Sequence, residues 1–80
     1  MRDETITFSL NNDDSDYKKI LTSVYDSLVA KGYDAINQIT GYVLSGDPTY
    51  ITTHNGARNL IQRIDRYELL KMLIKSYLVS

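Results

Sequence analysis

Apolar residues recur along most of this chain at helical spacing. Tyr17, Ile20, Leu21, Val24, Tyr25 and Leu28 are separated by steps of three and one, which line one face of a helix. Ser15 or Asp16 caps its start, and Lys31-Gly32 ends it with a cation in the last turn and glycine at the left-handed position. Asp34 caps a second helix that runs to about Leu44, with Ile36, Ile39 and Val43 facing inward. Gly41 inside that helix costs about 1 kcal/mol relative to alanine, which points to a close helix–helix approach. Ser45-Gly46-Asp47-Pro48 terminates it, with glycine as the cap and proline unable to continue the helix. Thr49 to Thr53 reads as a turn or a short 3₁₀ segment. Near the start, Ile6, Phe8 and Leu10 alternate with polar residues, the period of an extended strand. Asn11 to Asp16 reads as a loop leading into the first helix.

The last third of the chain has two apolar arcs. At about 100° per residue, Ala57, Leu60, Ile61 and Ile64 fall within roughly a 100° arc. Leu69, Leu70, Leu73, Ile74, Tyr77 and Leu78 centre on a direction about 140° away. One straight helix cannot bury both arcs against one core. Asp65, with Glu68 three residues on, has the spacing of a capping box, so a third helix ends near Ile64 and a fourth runs from about Arg66 to Leu78; the alternative is one long helix whose second half serves a dimer partner. The expected fold is all-α: a compact bundle of about four short helices, a short 3₁₀ turn and an extended N-terminal arm. The arm comprises residues 1–16, and residues 17–80 form a single helical domain.

Size and charge narrow this picture. Eighty residues without cysteine bury only roughly 60% of their unfolded surface, and no disulfide can compensate, so dimerisation is the natural candidate. Five acids against Arg2 give residues 1–16 a net charge of −4, while eight bases against five acids give residues 17–80 a net of +3. An acidic arm precedes a mildly basic body. No apolar run nears the roughly 20 residues of a membrane span, and no secretory h-region follows Met1. A soluble cytoplasmic protein, without direct membrane insertion, is expected.

Candidate chemistry is sparse. Cysteine-based metal sites and nucleophiles are excluded. A calcium loop on Asn12, Asp14 and Asp16 fails because Tyr17 stands where glycine is required and Ser23 where glutamate is required. His54 is the lone imidazole and has no obvious catalytic companions; neither an enzyme nor a cofactor is expected. A helix-turn-helix reading would place Arg58, Asn59, Gln62 and Arg63 on a base-reading face. The connection from Leu44 to Asn55 is too long for that motif, and the chain is net acidic, which disfavours nucleic acid. Arg58, Arg63 and Arg66 can form a patch for carboxylate or phosphate. Thr5 and Thr7 lie in the acidic arm, where a phosphate would add about −1.5 to −2 charges.

Gly32-Tyr33, Asn37-Gln38-Ile39, Gly41-Tyr42, Leu44-Ser45-Gly46-Asp47-Pro48, Tyr50-Ile51, Ala57-Arg58-Asn59 and Ser76-Tyr77-Leu78 together resemble the IreB family of small regulatory phosphoproteins of Gram-positive bacteria. The resemblance extends from Glu4 to Leu78. It implies an all-helical, non-enzymatic homodimer, phosphorylated on an N-terminal threonine by a membrane Ser/Thr kinase with extracellular PASTA domains and reset by its phosphatase. It further implies control of peptidoglycan synthesis and cell-wall antibiotic tolerance (resistance) through a component of cell-wall enzyme turnover, acting on the UDP-N-acetylglucosamine enolpyruvyl transferase. Thr5 matches the family's phosphorylation position, with Thr7 as runner-up. The chain departs from the family pattern at Asp34-Ala35 (Asn-Pro), at Thr52-Thr53 (Pro-Arg) and at Gln62 (a base). It also carries Arg66-Tyr67 and Lys71-Met72 where the last helix favours acids.

Overall fold

The computed structural model describes the backbone of residues 4–79 and the side chains of residues 16–79. Four α-helices follow in order: α1 (Glu4–Ala30), α2 (Ala35–Ser45), α3 (Ala57–Ile61) and α4 (Arg66–Val79). Two 3₁₀ turns, Pro48–Tyr50 and His54–Gly56, occupy the connection between α2 and α3. No strand occurs among the described residues.

The expected extended arm is corrected. Residues 5–10, read as a strand, and residues 11–16, read as a loop, belong to α1, which is 27 residues long. The expected boundary at residue 16 therefore lies inside a helix. Once the amphipathic segment from Tyr17 to Leu28 has formed a nucleus, each added residue contributes a hydrogen bond without a new nucleation cost. No glycine or proline stands between Glu4 and Ala30 to interrupt propagation. Three alternating apolar residues do not outweigh these terms.

The helix ends follow local chemistry. Gly32, at φ 82°, closes α1 in a Schellman motif: its N–H donates to Val29 at 2.9 Å, and the Tyr33 N–H to Leu28 at 3.0 Å. Asp34 Oδ1 accepts from the Asn37 N–H and caps α2. Gly46 at φ 77° ends α2, its N–H donating to Tyr42. Asp65 Oδ1 accepts from the N–H groups of Tyr67 and Glu68 at 2.9 and 3.2 Å, so α4 begins where the phase break places it. The Asp65 N–H donates to the Tyr17 hydroxyl at 3.1 Å, across 48 residues.

The core comprises Val24, Leu28, Ala35, Tyr42, Ile51, Ala57, Ile61, Ile64 and Leu69. Tyr17, Ile20, Leu21, Ile39, Val43 and Leu60 pack against it. Tyr25 and Ile36, expected to face inward, are exposed. In α2, Ala35, Ile39 and Tyr42 point within about 60° of one another, and Ile36 lies outside that arc. The close approach at Gly41 is made by the Tyr50 side chain of the first 3₁₀ turn rather than by a packed α-helix. A Cβ there would stand 2.4 to 2.8 Å from the Tyr50 ring, so the first 3₁₀ turn lies directly on the α2 backbone.

Gly41→Ala is accordingly expected to lower thermal stability by about 1–3 kcal/mol through overpacking, despite alanine's better helix propensity. In a Tyr50→Ala background the same substitution becomes neutral or stabilising by up to about 1 kcal/mol. Chemical denaturation of the four proteins in this cycle checks both statements.

Candidate functional site

The connection from Gly46 to Gly56 runs along the surface and turns one side chain, Ile51, into the core. Ile51 is fully buried although it lies in irregular chain. On either side of it, main-chain carbonyls accept side-chain donors. Gln38 Nε2 of α2 donates to the Tyr50 carbonyl at 2.9 Å. Arg58 Nε of α3 donates to the Ile51 carbonyl at 2.8 Å. The bond to Tyr50 is exposed and that to Ile51 part-buried, and together the two side chains tie the segment to α2 and α3.

The loop begins with a tight carboxylate turn. Asp47 Oδ1 accepts from the Thr49 N–H at 3.0 Å and from the Thr49 hydroxyl at 2.7 Å. These bonds, the backbone one first, hold its carboxyl below the ordinary 3.8, and the Arg58 charge acts in the same direction. Pro48 follows at the first position of the 3₁₀ turn, where its missing N–H is no loss. Leu44 to Pro48 therefore specifies a helix stop, a carboxylate cap and the next turn in succession. His54 contributes an N–H to Thr52 Oγ1 at 3.2 Å and starts the second 3₁₀ turn, where Asn55 takes a left-handed φ of 55°.

The three arginines expected to form one anion patch have separate surroundings. Arg58 is half-buried and bonded to Ile51. Arg66, at the start of α4, reaches the C-terminus of α2: its Nη1 donates to the Val43 carbonyl at 2.8 Å. Its guanidinium also lies against Gly46, where a Cβ would meet it at 2.7 Å. A cation there satisfies an orphan carbonyl and the negative end of the helix dipole. Arg63 is exposed in the turn after α3. The side chains of Thr5 and Thr7 lie outside the described residues, although the backbone of both belongs to α1.

The helix-turn-helix geometry is absent. The supposed recognition helix α3 has five residues, and two of its four candidate base-reading side chains turn back on the chain, Arg58 to Ile51 and Gln62 to the Arg58 carbonyl. Among the described residues no cluster of three His, Asp or Glu side chains could hold a metal ion. No helix among them is long and apolar enough to cross a membrane.

The family pattern read from the sequence falls on these structural positions: Gly32 and Gly46 at helix ends, Gly41 under Tyr50, and Gln38 and Arg58 on the loop that carries Ile51. The family model described as IreB regulatory phosphoprotein matches residues 3–79, nearly the whole chain. This chain belongs to the IreB family. Its role is regulatory in the sense of that family, and Arg58, within the Ala57-Arg58-Asn59 segment, has a structural duty in addition to any contact with a partner. Sequence reasoning missed the acceptors, since a main-chain carbonyl such as Val43 or Ile51 carries no residue signature.

Two outcomes follow. Arg58→Ala removes a part-buried bond to the Ile51 carbonyl and should lower stability by about 1 kcal/mol, whereas Arg63→Ala should change it by less than about 0.5 kcal/mol; denaturant titration separates them. The Asp47 carboxyl is bonded as the anion, so its contribution is complete above the ordinary 3.8 and is lost as pH falls through its lower folded value. Denaturation midpoints measured from neutral pH down to about pH 3 should fall more for the wild type than for Asp47→Asn.

Proposed function

We propose that this IreB-family protein is the substrate of a membrane Ser/Thr kinase of the PASTA type, phosphorylated at Thr5 with Thr7 as runner-up. In this reading it is a cytoplasmic, non-enzymatic homodimer that adjusts peptidoglycan synthesis, and with it antibiotic tolerance, through turnover of the enolpyruvyl transferase. The observation that carries the proposal is the family match across residues 3–79. The physical switch lies in charge. Phosphate on the acidic N-terminal segment changes its attraction to the basic body, and so the surface available to a partner.

The described geometry divides the labour among the arginines. Arg63 is exposed and can reorient toward a phosphate or carboxylate. Arg58 is held by one N–H to Ile51, which pre-orders its remaining donors beside Asp47 at low entropic cost. Arg66 is the weakest candidate of the three, because its guanidinium already lies between Val43 and Gly46.

Intact-mass and fragment-ion spectrometry on protein from its own cells tests the modification: a gain of about 80 Da on Thr5, removed by phosphatase, is expected under active kinase signalling. An unmodified chain under that condition sinks the proposal. Arg63→Ala should weaken partner recovery in pull-downs without altering stability, and equal recovery with both Arg58→Ala and Arg63→Ala removes the arginine patch from the mechanism.

A further inference from the structure

Asn55 and Gly56 are the chain's one Asn-Gly pair, and the fold places them in the second 3₁₀ turn. Both residues are exposed. Asn55 holds φ 55° and ψ 27°, left-handed geometry that suits glycine, asparagine and aspartate and strains most other residues. Gly56 follows at φ 70° and has no Cβ to shield its own main-chain nitrogen. The turn thus sets a side-chain amide beside the least hindered nucleophile that a backbone can offer.

Three hydrogen bonds keep the two apart. The Gly56 N–H donates to the Thr53 carbonyl at 3.1 Å, and the Ala57 N–H donates to the His54 carbonyl. The Arg58 Nε bond to the Ile51 carbonyl, at 2.8 Å, spans the turn and closes the segment between them. For the Gly56 nitrogen to reach Asn55 Cγ, it must leave Thr53, and ψ of Asn55 must rotate away from 27°. The turn has to open first. Such opening is local, because exposed loops open at a small fraction of the global unfolding free energy.

We infer that Asn55 is a site of spontaneous deamidation, gated by the bond between Arg58 and Ile51. The Gly56 nitrogen bonds to Asn55 Cγ, the Cγ–Nδ2 bond breaks, and Nδ2 leaves as ammonia with the proton that Gly56 gives up through solvent. Water then adds to the cyclic imide. Cleavage of the bond between Cγ and the Gly56 nitrogen gives aspartate. Cleavage at the main-chain carbonyl gives isoaspartate, whose backbone runs through Cβ and Cγ. Aspartate keeps the left-handed turn and sets a carboxylate in the open groove that residue 55 shares with Lys18 and Lys19 of α1. Isoaspartate adds a main-chain carbon two residues before Ala57, which is fully buried, and so pulls Arg58 out of register with Ile51. Conversion therefore writes the age of a molecule onto the placement of Arg58. This chemistry goes beyond the proposed function and stands or falls independently of it.

Peptide mapping by mass spectrometry, on the full chain incubated at neutral pH and physiological temperature, tests the site. Residue 55 should gain about 1 Da and resolve into aspartate and isoaspartate, while Asn37 and Asn59 stay intact. Denaturant should speed the conversion. Arg58→Ala should speed it about 5-fold in the native protein, the factor that one lost hydrogen bond places on an opening equilibrium, and Arg63→Ala should leave it unchanged. Hydrogen exchange on the same samples should show Gly56 and Ala57 opening faster in Arg58→Ala, with α2 and the Tyr17–Ala30 part of α1 still protected, so that the variant is folded. Conversion at residue 55 no faster than at Asn37 and Asn59 in the denatured chain would overturn the site. Equal rates in native and denatured chains, or in wild type and Arg58→Ala, would overturn the gate.

Discussion

The fold depends on holding in place a surface connection that sends one side chain, Ile51, into its core. Between Gly46 and Gly56 the chain has only two short 3₁₀ turns, yet Ile51 between them has no exposure. Side-chain donors to its carbonyls keep such a segment in position. Gln38 and Arg58 supply them from the two helices that flank the loop. The rest of the arrangement follows from this. Tyr50 lies on Gly41 because the loop is drawn onto α2, and α3 starts at Ala57 because the second 3₁₀ turn ends there. Arg58, which could meet a partner, is thus also one of the two side chains that hold the loop.

Much of this was legible in the residues. The stripe from Tyr17 to Leu28, the caps at Asp34 and Gly46, the close approach at Gly41 and the phase break before Asp65 are all local patterns, and each appears where spacing places it. What escaped was of two kinds. The start of α1 depends on cooperative propagation, which no window around Ile6, Phe8 and Leu10 contains. The contacts of Arg66 with Val43 and of Asp65 with Tyr17 join residues 23 and 48 positions apart, and long-range acceptors leave no periodic trace. The arginines illustrate the limit for the site. Their type announced an affinity for anions, but the nearest oxygens turned out to be main-chain carbonyls for two of them.

The chain's departures from its family pattern can be placed in the same terms. Thr52 is half-buried and its hydroxyl accepts from the His54 N–H, so the position that carries proline in the pattern still shapes the loop by a different device. Gln62 returns to the Arg58 carbonyl and so caps the end of α3 where the pattern has a base. Of the two, only Gln62 removes a positive charge near Arg58; Thr52 replaces an uncharged residue by another.

The bond between the Asp65 N–H and the Tyr17 hydroxyl has a consequence for the order in which the molecule assembles. The Schellman turn, the Asp47 turn and the contact of Gly41 with Tyr50 each close loops of about ten residues or fewer, which form within about 100 ns. The Tyr17 contact must close 48 residues and bears the larger loop-closure entropy. It therefore belongs to the late part of the folding reaction, after the α1–α2 hairpin and the pinned loop are in place. A nascent chain would present an ordered body with its last helix still unregistered, and the tyrosine hydroxyl supplies the final point of alignment.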